Sequence, residues 1–429
     1  MARVLFLSNG YGEDSIGSKL ARELSSQRPD LTLQAYPTVD QGHAYEGVCS
    51  ILGPRQVMLS GGLLLHSLDM FVKDMRAGFV GMTLRQLRDL KKLETDILIV
   101  VGDVYALSLS LLVNTKIRVY VQPLVSAHHQ ASGHQASGHQ ARGHQASGHR
   151  LIEKQLSTPT KLNRVTMEKF TSLERYLIRT KVNHMYVRDA LTAQTLNADG
   201  LGNVQFLGNP MLDGLAAKKP LELHKLRKLA YQPNSDGPII ALLPGTREYA
   251  VASLEVMLAA LEHVPNAIGI VAWAGKQLPQ LPDWHYVDVH VDDGTSSTHN
   301  LAVLQHGTQR VLLYQARFND VLAVADLVLG TAGTAHEQAA SLGIPVVSFA
   351  LPPHYTPAFL ANQQRLLADA LTISNAEPET LGQILDKLWQ DGSARARAAD
   401  IGRTRMGQPG GSSAITTDIL RRWDNIARP

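Results

Sequence analysis

The sequence predicts an α/β protein built from two doubly wound parallel-sheet domains. Three observations carry that prediction: short apolar runs of strand length, glycine-bearing turns directly after them, and helical stretches after those turns. The same order recurs in both halves of the 429-residue chain. A strand-turn-helix rhythm of this kind belongs to parallel sheets covered by helices on both faces. The length fits two or three domains better than one.

The elements follow in order. Residues 4–8 (VLFLS) read as a buried strand, residues 9–17 as a glycine-bearing loop and residues 15–24 as a helix. Strands are expected over 32–36, 96–101 (DILIVV) and 118–121 (RVYV). The second half opens with a strand over 238–243 (PIIALL), a helix over 253–261 and a strand over 267–272 (AIGIVA). A short helix over 320–325, a strand over 327–329, a helix over 334–342 and a strand over 345–349 follow. Helices are expected over 378–390 and 414–427. The least periodic stretch, 216–237, divides the halves, with the linker at 214–219. This gives domains 1–215 and 216–413 and a last helix, 414–429. Two open sheets of this type bind ligands at the carboxyl ends of their strands, and a cleft is expected between the two halves.

Composition narrows the function. The net charge is +3 with 18% charged residues, and no dense basic stripe of a nucleic-acid binder is present, so no nucleic-acid partner is expected. Weak positive charge suits anionic small molecules or an anionic membrane surface. The single cysteine, Cys49, cannot form an internal disulfide and favours a cytoplasmic location. The apolar run after Arg3 is too short for a signal peptide, and no stretch approaches the length of a membrane span. Residues 57–92 mix apolar side chains with Lys73, Arg76, Arg85, Arg88, Lys91 and Lys92. That mixture fits either core-facing helices or a membrane-surface contact. A five-residue histidine repeat, HQASG and variants, fills 129–149. It reads as an expanded surface loop, since five-residue steps do not align histidines on a helix face.

Five places carry candidate chemistry. The first loop, N-G-Y-G-E-D, holds Gly10, Gly12, Glu13 and Asp14. Its spacing matches neither a dinucleotide fingerprint nor a Walker loop. Its acids suit proton acceptance from a hydroxyl better than phosphate binding, although Asp14 or Ser15 could simply cap the helix. Asp103 follows the 96–101 strand and is a second candidate base, or a turn cap. L-P-G-T-R presents Gly245, Thr246 and Arg247 at a strand-to-helix turn, where amides, a hydroxyl and a guanidinium can meet a diphosphate. G-T-A-G-T-A-H-E presents Gly333, Thr334, Ala335, His336 and Glu337; the amides face an anion and Glu337 can accept ribose hydroxyls. The run 362–365 is expected just before a helix, with Gln363 and Gln364 able to contact a sugar ring.

These motifs, in this order, resemble those of the lipid-A-disaccharide synthase family and related bacterial proteins. N-G-Y-G-E-D resembles the family's first loop, L-P-G-T-R-E its L-P-G-S-R motif, and G-T-A-G-T-A-H-E its S-G-T-A-T-x-E motif. L-G-N-P-M-L-D, residues 207–213 with Asn209, is similar to its G-H-P-x-x-D segment. The resemblance implies a GT-B arrangement of two Rossmann-like domains facing a cleft. It also implies inverting sugar transfer from a UDP-sugar, with no metal or other cofactor required. The donor would lie on the second domain, at Arg247, Gly333, Thr334 and Glu337. The acceptor, a sugar or glycolipid reached at the cytoplasmic membrane face, would lie near Glu13 and Asp103. The last helix would cross back to the first domain. The first loop and the V-G-D-V-Y context of Asp103 depart from the family pattern, both on the acceptor side. A nucleotide-sugar 2-epimerase and a non-catalytic nucleotide-sugar-binding protein are the alternative readings.

Overall fold

The computed structural model describes residues 2–39, 41–54, 79–129, 170–232, 236–288 and 300–427. Most of the 129–149 repeat, and most of the 57–92 stretch expected to be amphipathic, lie outside the described residues. The chain divides into two compact units. One takes the described residues through Asp213 together with those from Gly407 onward, and the other runs from Gly214 to Met406.

The first unit contains β1 (Arg3–Ser8), α1 (Tyr11–Gln27), β2 (Thr32–Pro37), β3 (Ser50–Ile51), α2 (Phe79–Leu90) and β4 (Glu94–Val101). It continues with α3 (Val104–Ser110), β5 (Asn114–Gln122), α4 (Ser172–Lys181), β6 (His184–Val187), α5 (Ala190–Ala198) and β7 (Val204–Gln205). Its sheet has the order β3-β2-β1-β4-β5-β6-β7, and every pairing is parallel. Side chains alternate across a strand, so an unbroken apolar run requires cover on both faces. Val4, Phe6, Ile97 and Ile99 pack with Ile16, Leu20 and Leu24 of α1 on one face. Leu5, Leu7, Leu98 and Val100 pack with Ala106, Leu107, Leu177 and Ile178 on the other. The strand order reverses between β1 and β4, which places the turns after these two strands at the sheet's switch point.

The second unit contains α6 (Leu223–Leu229), β8 (Ile239–Leu243), α7 (Ala250–Leu261), β9 (Ile268–Trp273), β10 (His285–Val287), β11 (Leu301–His306) and β12 (Gln309–Gln315). Then come α8 (Phe318–Leu322), β13 (Leu327–Gly330), α9 (Gly333–Ser341), β14 (Val346–Phe349), α10 (Pro357–Leu367), β15 (Leu371–Ser374), α11 (Pro378–Gln390) and α12 (Gly392–Met406). The sheet order is β10-β11-β12-β9-β8-β13-β14-β15. Its switch point lies between β8 and β13, again at two strand-to-helix turns.

Four sequence expectations are corrected. The second sheet is not wholly parallel: β10, β11 and β12 form an antiparallel edge. α1 begins at Tyr11, so Glu13 and Asp14 occupy its first turn rather than a preceding loop. Residues 362–365 lie inside α10, which starts at Pro357 behind the Thr356 cap, and do not precede a helix. The 216–237 stretch, the least periodic in sequence and given no element there, contains α6.

The last helix, α13 (Gly411–Ala427), belongs to the first unit. The 207–213 motif holds its start. Asp213 accepts hydrogen bonds from the Gly410 and Ser412 amides at 2.5 and 2.6 Å, and the Asn209 amide donates to the Gln408 carbonyl at 2.7 Å. A Cβ on Gly208 would come within 2.7 Å of the Gly411 nitrogen, so only glycine permits this approach. Further along, Ile415, Ile419 and Trp423 join the first unit's core, and the Tyr186 hydroxyl donates to Asp418 at 2.6 Å.

Candidate active site

In the first unit the switch point is acidic. β1 ends at Ser8, whose hydroxyl donates to Asp14 Oδ1 at 2.5 Å and lies 3.0 Å from the Tyr45 hydroxyl. Asp14 is 2% exposed, so it is part of a buried polar knot and not a helix cap. Gly17 makes room for Tyr45, since a Cβ there would sit 1.9 Å from the phenol oxygen. Asn9 reaches across to β4's turn and donates from Nδ2 to Asp103 Oδ1 at 2.7 Å. That same oxygen caps α3, accepting from the Tyr105 and Ala106 amides at 2.9 and 3.3 Å. Asp103 is therefore a cap and a member of the acidic group at once.

Glu13 lies in the first turn of α1, partly buried, with its carboxylate folded back beside Gly10. A Cβ on Gly10 would come within 2.3 Å of Glu13 Oε2. Burial, reinforced by the nearby charges of Asp103 and Asp14, pushes the Glu13 carboxyl from 4.5 up to about 7. Asp103 is raised as well, chiefly by burial. A carboxyl poised near neutrality can take a proton from a hydroxyl, which a fully ionised surface glutamate does poorly. Gly12 faces open space. Asn209, expected on the acceptor side, is 1% exposed and caps the short 3-10 turn Pro210–Leu212 by accepting from the Met211 amide.

One acid was not foreseen. Glu174, 4% exposed, accepts from the Tyr120 hydroxyl at 2.9 Å. Burial pushes it up to about 7, and the Asp103 charge adds to the rise. The signal was available in the sequence as a capping box, T-x-x-E at 171–174, in which the Glu174 amide bonds to Thr171 Oγ1.

In the second unit the two turns at the switch point are fastened together. Thr331 Oγ1 lies 2.5 Å from Ser253 Oγ and donates to the Pro244 carbonyl at 3.3 Å. Gly245, at φ +85°, brings its backbone against Ala332, where a Cβ would already be in contact at 3.4 Å. Thr246 and Arg247 are exposed. α9 starts at Gly333 with no side-chain cap, so its first amides and the positive end of its dipole are left for an anion. Thr334 is exposed, and Ala335 and Glu337 are partly so.

An aromatic group connects the two sides of this turn pair. The Tyr249 and Tyr355 rings lie 6.0 Å apart, and Tyr249 stacks on His354 at 5.8 Å. The positive charge of Arg247 acts on Tyr249, and the negative charge of Glu337 acts on Tyr355. Tyr249 and Tyr355, whose rings adjoin, are thus within electrostatic reach of Arg247 and Glu337 respectively. His336 and Gln363, expected to touch a ligand, are 0% and 6% exposed and lie beneath the turn. Gln364 turns its amide to the Leu371 carbonyl at 3.4 Å, against β15.

Among the described residues, no group of three or more His, Cys, Asp or Glu could hold a metal ion, and no helix is long and apolar enough to cross a membrane.

No family model matches the chain. A lipid-A-disaccharide synthase from Gloeothece citriformis (strain PCC 7424) is 29% identical over 153 residues, 35% of this chain and 35% of that protein's length. Among solved structures, the calicheamicin glycosyltransferase CalG4 is similar over 100% of both chains at 14% identity, with a TM-score of 0.59. A UDP-N-acetylglucosamine 2-epimerase is similar over 100% of this chain and 97% of that one, at 14% identity and a TM-score of 0.50. The chain therefore has two Rossmann-like α/β domains of the GT-B type, the fold of these similar structures.

Proposed function

We propose that this chain is a glycosyltransferase that moves a sugar from a UDP-sugar to a hydroxyl of a sugar or glycolipid acceptor, with inversion at the anomeric carbon. The observation that carries the reading is the fastened turn pair of the second unit. Thr331 joins the two turns, one of which carries Arg247 and the other the uncapped amides of α9 and Glu337. A diphosphate needs amides and a cation at a helix N-terminus, and a ribose is well met by a carboxylate beside it. Arg247 and the α9 amides would stabilise the leaving diphosphate as its charge develops.

The acceptor hydroxyl is assigned to the first unit. Glu13, raised to about 7, is the better base; Asp103 Oδ1 already takes three hydrogen bonds as a cap. Attack of the hydroxyl oxygen on the anomeric carbon breaks the bond to the diphosphate, and the hydroxyl proton passes to Glu13. The partial match to a lipid-A-disaccharide synthase supports a lipid-linked acceptor.

The likeness to a UDP-N-acetylglucosamine 2-epimerase supports a second reading, in which a UDP-sugar is epimerised without an acceptor. Incubation with UDP-N-acetylglucosamine and other UDP-sugars, with and without glycolipid acceptors, separates the two. Transfer predicts UDP release that requires the acceptor and yields a lengthened glycan. An epimer formed from UDP-sugar alone would overturn transfer in favour of epimerisation.

A further inference from the structure

We infer that His336 and Gln363 form a buried clamp that sets the 331–334 turn for diphosphate binding, acting on the ligand only through the backbone they grip. The inference rests on the donor site proposed above and assigns to it two positioning residues. His336 Nε2 accepts from the Ala332 amide at 3.3 Å, and its Nδ1 meets Gln363 Oε1 at 3.3 Å. Gln363 Nε2 donates to the Gly333 carbonyl at 2.9 Å, while the Tyr355 hydroxyl donates to Gln363 Oε1 at 2.9 Å. The tautomer protonated on Nδ1 satisfies these bonds together. The acceptor role of Nε2 leaves the proton on Nδ1, where it points to Oε1, and both free lone pairs of that oxygen are used.

The geometry is specific to the turn. The clamp takes the amide of Ala332 and the carbonyl of Gly333, backbone groups of two successive residues. It leaves the next amides, at the start of α9, without a side-chain cap. The turn's glycines serve the clamp as well. A Cβ on Gly330 would sit 2.6 Å from His336 Nε2, and one on Gly333 would sit 3.0 Å from the Phe359 ring and 3.3 Å from Gln363 Nε2. A buried imidazole and a buried carboxamide cost free energy unless fully paired, and an apolar side chain would fill the same space without that demand. Their full pairing to a single turn is accounted for if the conformation of that turn matters. Burial pushes the imidazole down to about 4, so the ring is neutral at neutral pH and one of its nitrogens remains an acceptor. A turn of small residues held in its binding conformation saves the ligand the cost of ordering it.

The test compares UDP with uridine, which lacks the diphosphate, by calorimetry on the full chain. In His336→Leu the UDP-to-uridine affinity ratio should fall roughly tenfold, with uridine affinity itself kept within about twofold. His336→Gln, whose Oε1 can take the Ala332 amide, should restore most of the ratio. Tyr355→Phe removes one donor to Gln363 and should lower the ratio by a smaller factor; it serves should the leucine variant not fold. Amide exchange in the unliganded protein decides the clamp independently of any ligand. The Ala332 amide should exchange at least about tenfold faster in His336→Leu than in the wild type. An unchanged ratio, equal weakening of both ligands, or unchanged Ala332 exchange overturns the clamp. Wild-type protein that binds neither UDP nor uridine overturns the donor site instead, and the exchange result still stands for or against the clamp.

Discussion

The Asn9 carboxamide donates to Asp103 Oδ1 at 2.7 Å and so joins the turns that follow β1 and β4 across the first sheet's switch point. Gly102 makes this link possible. It has φ +148°, and a Cβ there would lie 1.8 Å from Asn9 Oδ1. Gly102→Ala should displace Asn9 and loosen Asp103 from its cap. The expected cost is about 1–3 kcal/mol of stability, read from denaturant unfolding, with activity falling alongside. A variant as stable and active as wild type would remove this turn from the account.

Glu13 should set the pH dependence of the reaction. As a base raised to about 7, it predicts activity rising with pH through that value. Glu13→Gln should lower kcat by roughly 10²–10⁴-fold and abolish that limb of the pH profile. An intact limb in the variant would transfer the role to another group.

The same carboxyl predicts a change in stability. Between 4.5 and about 7 the folded state holds a proton that the unfolded state has released. The Glu13 contribution to stability is therefore lost as pH rises through this window. Glu13→Gln should be more stable than wild type at pH 8 and gain little at pH 4. Chemical denaturation at both values measures the difference, and a gain that is the same at both would contradict the shift.

Arg247 is exposed, so its loss should spare the fold and strike only the ligand. Arg247→Ala should weaken UDP binding by about 10–100-fold and uridine binding much less, with Tm unchanged. Arg247→Lys should recover only part of the affinity, because an ammonium is not a bidentate partner.

Asp213 tests the attachment of the last helix. Its carboxylate receives the Gly410 and Ser412 amides. Asp213→Ala should cost about 1–2 kcal/mol, the usual scale of a lost helix cap. Amide exchange in α13 should rise more than exchange in β1 or β4.

Much of the fold was legible because buried parallel strands are continuous apolar runs. DILIVV, PIIALL and PVVSF could be read directly, and each is a strand in the structure. β10 to β12 were not legible: Gln305, His306, Gln309 and Arg310 interrupt the pattern because this antiparallel edge is half exposed. α1 began early because Gly10, with no side-chain cap, starts the helix where a Ser or Asp would have been sought. At the candidate site, Arg247, Thr334 and Glu337 stood out because their residue types suit the surface of a strand-to-helix turn. His336 and Gln363 were candidates beside them, and sequence could not say that they lie beneath it. The T-x-x-E box marks Glu174 only as a first-turn acid; its burial and its bond from the Tyr120 hydroxyl join residues 54 apart in sequence and were not legible.

The account depends most on the second unit's turn pair holding a nucleotide-sugar. Calorimetry with a panel of UDP-, GDP- and dTDP-sugars tests this directly. The account predicts saturable one-site binding of a UDP-sugar, displaced by UDP and weakened at least about tenfold by Arg247→Ala. Failure of every nucleotide-sugar to bind at millimolar concentration, or binding indifferent to Arg247, would contradict it.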